Sequence, residues 1–218
     1  MENKKIKTKV TRPKLETGLD NIELSRENIV DEIIISFGEI KDCTIENYCA
    51  ERMNFKQLLF KNVVFKAIKF KYIELVDVRF ENCDLSNVDF TEASLHRVEF
   101  LSCKIMGMNL SEATLRDVLF YNCNGQYSFF SYSNCKQVAF LQCGMRASDF
   151  QNSTLAKMEF LDTDLFQVQL NFTKLKGIDF TTCNIESLGV NIQDVNGAIV
   201  NSIQAASLST LLGLIIGV

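Results

Sequence analysis

From Phe55 onward a large apolar residue recurs at almost every fifth position: Phe55, Phe60, Phe65, Phe70, Leu75, Phe80, Leu85 and Phe90, then on through Phe120, Phe130, Phe140 and Phe150 to Ile185 and Val190. Two residues before each stands a smaller apolar residue, as at Val63, Ile68, Ile73, Val78, Cys83, Val88 and Ala93. The positions between are mostly polar: Asp84, Ser86, Asn87, Asp89, Thr91, Glu92. A period of five fits neither the 3.6 of a helix nor the 2.0 of a strand. It requires a chain that turns about a quarter circle every five residues, with two side chains pointing in and three out, so that four units close a square coil of twenty residues.

A second periodicity at twenty must then appear, and it does. Phe60, Phe80, Phe100, Phe120, Phe140, Phe160 and Phe180 form one column. Cys43, Cys83, Cys103, Cys123, Cys143 and Cys183 form another, and Leu58, Val78, Val98, Val118, Val138, Met158 and Ile178 a third. Residues twenty apart stack at the interstrand spacing of about 4.8 Å. The predicted fold is an all-β solenoid, a quadrilateral parallel β-helix spanning residues 40–200. Its eight or so coils make a rod about 40 Å long. Ala50, Gly125 and Cys135 stand where Leu or Phe is usual. Around Gly125, in Asn122-Cys-Asn-Gly-Gln-Tyr127, a backbone irregularity is expected, because Asn and Gly tolerate positive φ.

An open-ended rod exposes strand edges that must be covered. Residues 1–39 read as a polar N-terminal segment and cap, with residues 1–20 mobile. A short helix fits around Leu24–Glu32, and Ile33-Ile34-Ile35 serves as a first strand or as a cap on the open coil. Residues 201–218 form a C-terminal unit: a short helix capped by Asn201 or Ser202 and ended by Gly213, then a strand at Leu214-Ile215-Ile216. The apolar residues of this end, Ile203, Leu208, Leu211, Leu212, Leu214, Ile215 and Ile216, exceed what a monomer leaves bare, and a twofold dimer joined there is the economical cover.

Charge narrows the partners. The formal net charge is −4, which disfavours direct binding to nucleic acid. Residues 1–71 carry eleven acids and fourteen bases, whereas residues 72–218 carry sixteen acids and nine bases, so the acidic surface belongs to the later coils. The N-terminus lacks the apolar run of a signal peptide, and no apolar stretch reaches the roughly 20 residues of a membrane span. The expectation is a cytoplasmic protein with reduced thiols.

Catalytic chemistry finds no footing. The one histidine, His96, lies at an outward position beside Arg97, and a triad lacks its other parts. No glycine-rich phosphate loop follows a strand. The cysteine ladder points its thiols in parallel at a twenty-residue spacing that matches no zinc signature, so it reads as small apolar core. No enzyme, no cofactor and no metal is expected.

The units of form Ala/Cys-Asp/Asn-Leu/Phe-x-x resemble the pentapeptide-repeat family, which implies a right-handed β-helix. The tail Gly197-Ala-Ile-Val…Gln204-Ala-Ala-Ser-Leu…Leu212-Gly-Leu-Ile-Ile is similar to that of the quinolone-resistance (Qnr) members, and Thr173–Phe180 with the uninterrupted coils is closest to their loopless Gram-positive relatives. That resemblance implies a head-to-head dimer through the C-terminal helix. It also implies a rod that mimics duplex DNA, binds type II topoisomerases and protects gyrase and topoisomerase IV from fluoroquinolones. The chain lacks the projecting loops of the Gram-negative members. An interaction scaffold, or an immunity factor against a topoisomerase-directed toxin, is the alternative. Partner-binding candidates are the acids on and beside the walls flanking the Phe column: Asp77, Glu81, Asp84, Asp89, Glu99, Asp117, Glu159, Asp162 and Asp179. Duplex DNA carries one charge per about 1.7 Å, far more than this region's net of −7, so mimicry has to rest on shape and a local stripe.

Overall fold

The computed structural model describes residues 8–24 and 29–215. The chain winds into a right-handed quadrilateral β-solenoid of about seven turns with one short C-terminal helix. Among the described residues thirteen strands form in order: β1 (Asp20–Asn21), β2 (Ile34–Lys41), β3 (Thr44–Glu46), β4 (Cys49–Glu51), β5 (Asn54–Lys61), β6 (Val64–Lys66), β7 (Lys69–Lys71), β8 (Glu74–Glu81), β9 (Ser94–Leu101), β10 (Thr114–Tyr121), β11 (Asn134–Leu141), β12 (Thr154–Ala156) and β13 (Glu159–Leu161). One broad wall carries a parallel sheet ordered β1-β2-β5-β8-β9-β10-β11-β12, with β13 also on β11. From β2 onward its register steps by twenty residues at every pair, with Phe60 opposite Phe80, Phe80 opposite Phe100 and Phe100 opposite Phe120, whereas β1 pairs with β2 at a step of eighteen. The other walls hold the short pairs β3–β6 and β4–β7, then single bridges such as Asp84–Lys104 and Asp89–Asn109.

The two inward positions fill the interior as the period requires. Phe60, Phe100, Phe120 and Phe140 are completely buried, and so are Leu58, Val78, Val98 and Val118. Ring centroids in the Phe column lie 4.8, 4.9, 4.7 and 4.5 Å apart from Phe60 to Phe140. They open to 5.6 and 5.8 Å at Phe160 and Phe180, where the long strand breaks up. The Phe130–Phe150 pair stacks alongside at 4.6 Å, edge-on to the first column.

Each corner is built from a left-handed residue. From Glu32 to Ser187, every fifth residue except Thr182 takes a positive φ, 66° and 80° at Gly107 and Gly177 and between 49° and 63° at the others, among them Gln57, Asp77, Asn82, Asn87, Arg97, Asp117, Asn122 and Gln137. Side chains other than Gly and Asn resist this region. The cost is offset because the same residue donates its N–H to the next coil, as Asn62 N does to Glu81 O (3.0 Å) and Asn82 N to Leu101 O (2.9 Å). Among the described residues no β-branched residue adopts it: where Thr182 and Ile192 fall in this place the backbone stays out of the left-handed region.

Asp and Asn one place before the inward Leu or Phe have a local task. Asp84, Asp89, Asn109, Asp149, Asp164 and Asp179 each accept the backbone N–H two residues on, closing an Asx turn. Inward Cys, Ser and Thr share another. The thiols of Cys83, Cys103, Cys123 and Cys143 point at carbonyls 23 residues earlier at 3.3–3.5 Å, and Thr163 does the same at 3.0 Å. Burial pushes the thiols of Cys123 and Cys183 up, and that of Cys135 to about 11. Such groups are poor nucleophiles. Cys43, in contrast, is exposed.

Several expectations change. Gly125 is no corner irregularity: the left-handed residue is Tyr127, as the period demands. Gly125 points inward, and a Cβ there would stand 2.5 Å from Met145 Sδ, so it makes room for Met145 and Ile105. Ile34 opens β2, and the stack therefore starts before residue 40. The described part of Leu24–Glu32 is not helical: Ile29 is buried in the core and residues 31–32 turn. At the far end, helix α1 (Ser202–Ser209) is capped by Asn201 in a capping box with Gln204, and Gly213 ends the following 3-10 turn at φ 74°. Leu214 and Ile215 form no strand, and Ile216 lies outside the described residues.

Candidate partner-binding wall

The broad wall presents ladders of outward residues at the twenty-residue step. One runs Gln57, Asp77, Arg97, Asp117, Gln137, Lys157, and a second runs Leu59, Arg79, Glu99, Leu119, Ala139, Glu159. Within the first, Arg97 grips Asp77 with two bonds of 2.6 Å. Within the second, Arg79 Nε donates to Glu99 Oε2 at 2.7 Å. His96 contacts the Arg97 guanidinium, and burial together with that cation holds its pKa below the usual value.

The first described residues of the chain lie along this wall. Residues 8–14 are seated against it rather than mobile, running as an extended strap along the rod axis and across the strands. Thr8 Oγ1 donates to Glu159 Oε2 at 3.1 Å, and Gln137 Nε2 to the Lys9 carbonyl at 2.8 Å. Thr11 N–H reaches Asp117 Oδ1 at 3.0 Å, and Arg12 Nε lies 3.5 Å from Glu99 Oε1. Lys14 N–H donates to Asp77 Oδ1 at 2.9 Å and its carbonyl accepts from Gln57 Nε2 at 3.0 Å. Thr8 to Lys14 spans six residue steps, about 20 Å fully extended. Glu159 to Gln57 spans five coils, about 24 Å. The strap is thus stretched nearly straight, with side chains closing the difference. Crossing strands at right angles, it cannot join their ladder, so wall side chains satisfy its backbone. Val10, 8% exposed, is its apolar anchor and packs with Leu119, Ala139 and Leu141. Beyond the strap the chain returns as β1, parallel to β2.

This arrangement redistributes the nine candidate acids. Asp77, Glu99 and Asp117 point outward by the period yet are 4%, 1% and 8% exposed, because strap and cross-rung partners cover them. Burial works against the Asp77 charge, but the Arg97 bonds and the Lys14 N–H outweigh it and lower its pKa. Glu159 is half-buried beneath Thr8. Glu81, half-buried at the wall's edge, faces Arg79 at 3.5 Å. Asp84 and Asp89 are half-buried Asx-turn residues, and Asp84 also meets Lys104 at 3.6 Å. Asp162 and Asp179 are exposed, and Thr181 lowers the Asp179 pKa through its hydroxyl and N–H. The nine do not form one open stripe. The strap was missed because its single apolar residue gives no period. Its trace was the charge split, with bases gathered before residue 71 and acids after it.

The apolar C-terminal residues are brought together but left open. Gln204 is buried and ties α1 to the last coils through the Phe180 and Cys183 carbonyls, both at 2.8 Å. Leu208 packs on the core. Ile203 is 79% exposed and Ile215 97%, and Leu211, Leu212 and Leu214 are also exposed. Beside them lies an apolar cleft of about 340 Å³ lined by Val195, Ala198, Val200, Leu208 and Leu212 among others. Among the described residues no helix is long and apolar enough to cross a membrane.

With this geometry in view, comparison with known proteins identifies the class. The model of the pentapeptide repeat region matches residues 73–144, and that of pentapeptide repeats in eight copies matches 144–181. The chain belongs to the pentapeptide-repeat family. Among solved structures it is similar to a trypsin-treated variant of QnrB1, a plasmid-mediated fluoroquinolone resistance protein. The identity is 20%, covering 91% of this chain and 97% of that one, with a TM-score of 0.46. It is also similar to HetL, a pentapeptide-repeat protein involved in heterocyst differentiation regulation in the cyanobacterium Nostoc. There the identity is 11%, covering 78% and 87%, with a TM-score of 0.38. No curated protein sequence matches significantly.

Proposed function

We propose that the protein is a non-catalytic homodimer that occupies the DNA-binding surface of gyrase or topoisomerase IV and protects the enzyme from fluoroquinolones, acting in the cytoplasm. The observation that carries the reading is the C-terminal end. An uninterrupted rod terminates in a helix and a following tail whose Ile203, Leu212, Leu214 and Ile215 are exposed, and the sequence of this end is similar to the tail of the quinolone-resistance members. A second copy placed head to head covers that apolar surface and doubles the length of the rod. The charge of the walls is modest and partly paired, so binding rests on shape more than on total charge.

Two measurements test it. Sedimentation should give a dimer, and Leu212→Asp with Ile215→Asp should give a monomer. Supercoiling assays with ciprofloxacin should show rescue of gyrase or topoisomerase IV by the wild type and its loss in the monomeric variant. A protein that neither rescues nor inhibits either enzyme over a wide concentration range sinks the reading. An interaction scaffold, or an immunity factor against a topoisomerase-directed toxin, is favoured by one observation: a polypeptide segment already sits on the broad wall.

A further inference from the structure

We propose that the broad wall is a docking face for an extended cationic polypeptide segment, and that residues 8–14 hold it in cis as a displaceable occupant. The strap shows what the wall recognises. It takes a straight backbone, one small β-branched side chain in the Leu119–Ala139–Leu141 depression, and a guanidinium against Glu99. Its sequence suits that path: Val10 and Thr11 favour extended backbone, and Pro13, the single proline, keeps Arg12 extended.

The wall in turn is built to hold a chain rather than to shed water. Outward side chains on a solvated wall have no need to be buried, yet Asp77, Glu99 and Asp117 are buried by what lies on them. Asp77 and Asp117 each accept a strap N–H, while Gln57 and Gln137 each donate to a strap carbonyl, so side chains of one ladder read the backbone of the occupant. Glu99 Oε1 is buried without a hydrogen-bond partner, and the Arg12 side chain that faces it is itself 47% exposed. The strap therefore leaves this carboxylate under-satisfied, and an incoming chain with a better-placed cation gains there. Carboxylates on this wall repel phosphate, which makes the partner a polypeptide and not a nucleic acid. The tether back to β1 is short, so the strap competes at an effective concentration in the millimolar range. A trans segment then binds weakly until the strap is released. The inference holds whether or not the protein acts on a topoisomerase.

The test uses the full chain, the variant Val10→Asp/Arg12→Glu, and a fluorescent synthetic peptide of residues 8–17. Hydrogen exchange should find the Thr11 and Lys14 amides protected in the wild type and released in the variant. The peptide should bind the released variant at least tenfold more tightly than the wild type. A scrambled peptide should fail, and adding Asp117→Lys to the variant should abolish binding. Unprotected amides in the wild type, or protection that survives the double substitution, overturn the seating. A released variant that ignores the peptide, or a wild type that binds it equally well, overturns the docking face.

Discussion

Two ladders in this rod share one spacing and obey opposite rules. Inside, Phe60 to Phe180 repeats the same side chain at every coil, with rings stacked 4.5–5.8 Å apart. Outside, on the same strands, Gln57, Asp77, Arg97, Asp117, Gln137 and Lys157 never place two like charges in succession. A step of about 4.8 Å is near ideal for ring contact and costly for two like charges. The geometry thus rewards identity within and alternation without. It also explains why a wall rich in acids carries so little free charge: its arginines are spaced between them as partners.

Breaking the inner rule should cost most. Phe140→Ala removes a ring that touches Phe120, Phe130, Phe150 and Phe160, and should lower unfolding stability by about 3–5 kcal/mol in urea titration. Breaking the outer rule comes next. Arg97→Ala strands the buried Asp77 carboxylate, and a loss of about 2–3 kcal/mol is expected, with Arg97→Lys restoring only part because the two-pronged grip is gone. Val10→Asp should cost about 1 kcal/mol globally while freeing the strap to proteolysis, since only one anchor is lost.

Acid should sharpen the comparison. The Asp77 pKa is depressed in the folded state, so its contribution is complete above the unfolded value of about 3.9 and is lost as pH falls through the lower folded value. The stability gap between wild type and Asp77→Asn should begin to narrow in urea titrations as pH falls below about 4 and close only below the depressed folded value, and a gap that does not narrow at all would mean the carboxylate charge is not what matters. The exposed Asp162→Asn should change stability by less than about 0.5 kcal/mol.

The fold was legible because the period of five leaves its mark on every coil. Phe60, Val78 and Cys103 announce the interior without reference to structure. The candidate site was legible only halfway. The period says that Asp77, Glu99 and Asp117 point outward, but outward is not exposed when another stretch of chain lies on top. Nothing periodic marks that stretch, whose hold on the wall comes from hydrogen bonds to side chains and one buried valine. Asp84, Asp89 and Asp179 look like surface acids in a list and are turn-closing residues in the structure, because an Asx bond is local and invisible to a charge count. Gly125 misled for the opposite reason: glycine suggested a strained backbone where it only makes space for Met145.

The left-handed corners carry a consequence for how such a chain can change. Because nearly every fifth residue enters a region that Thr182 and Ile192 avoid, the fold has a reading frame of its own. A single-residue insertion at Asn87 would move Thr91 into the corner place that Glu92 holds and throw every later inward Phe to the outside. Additions of five residues would keep the corners but rotate the columns by a quarter turn, and only additions of twenty would restore Phe over Phe and Arg beside Asp. The length of this rod is therefore expected to vary in whole coils, and with it the distance between its two ends.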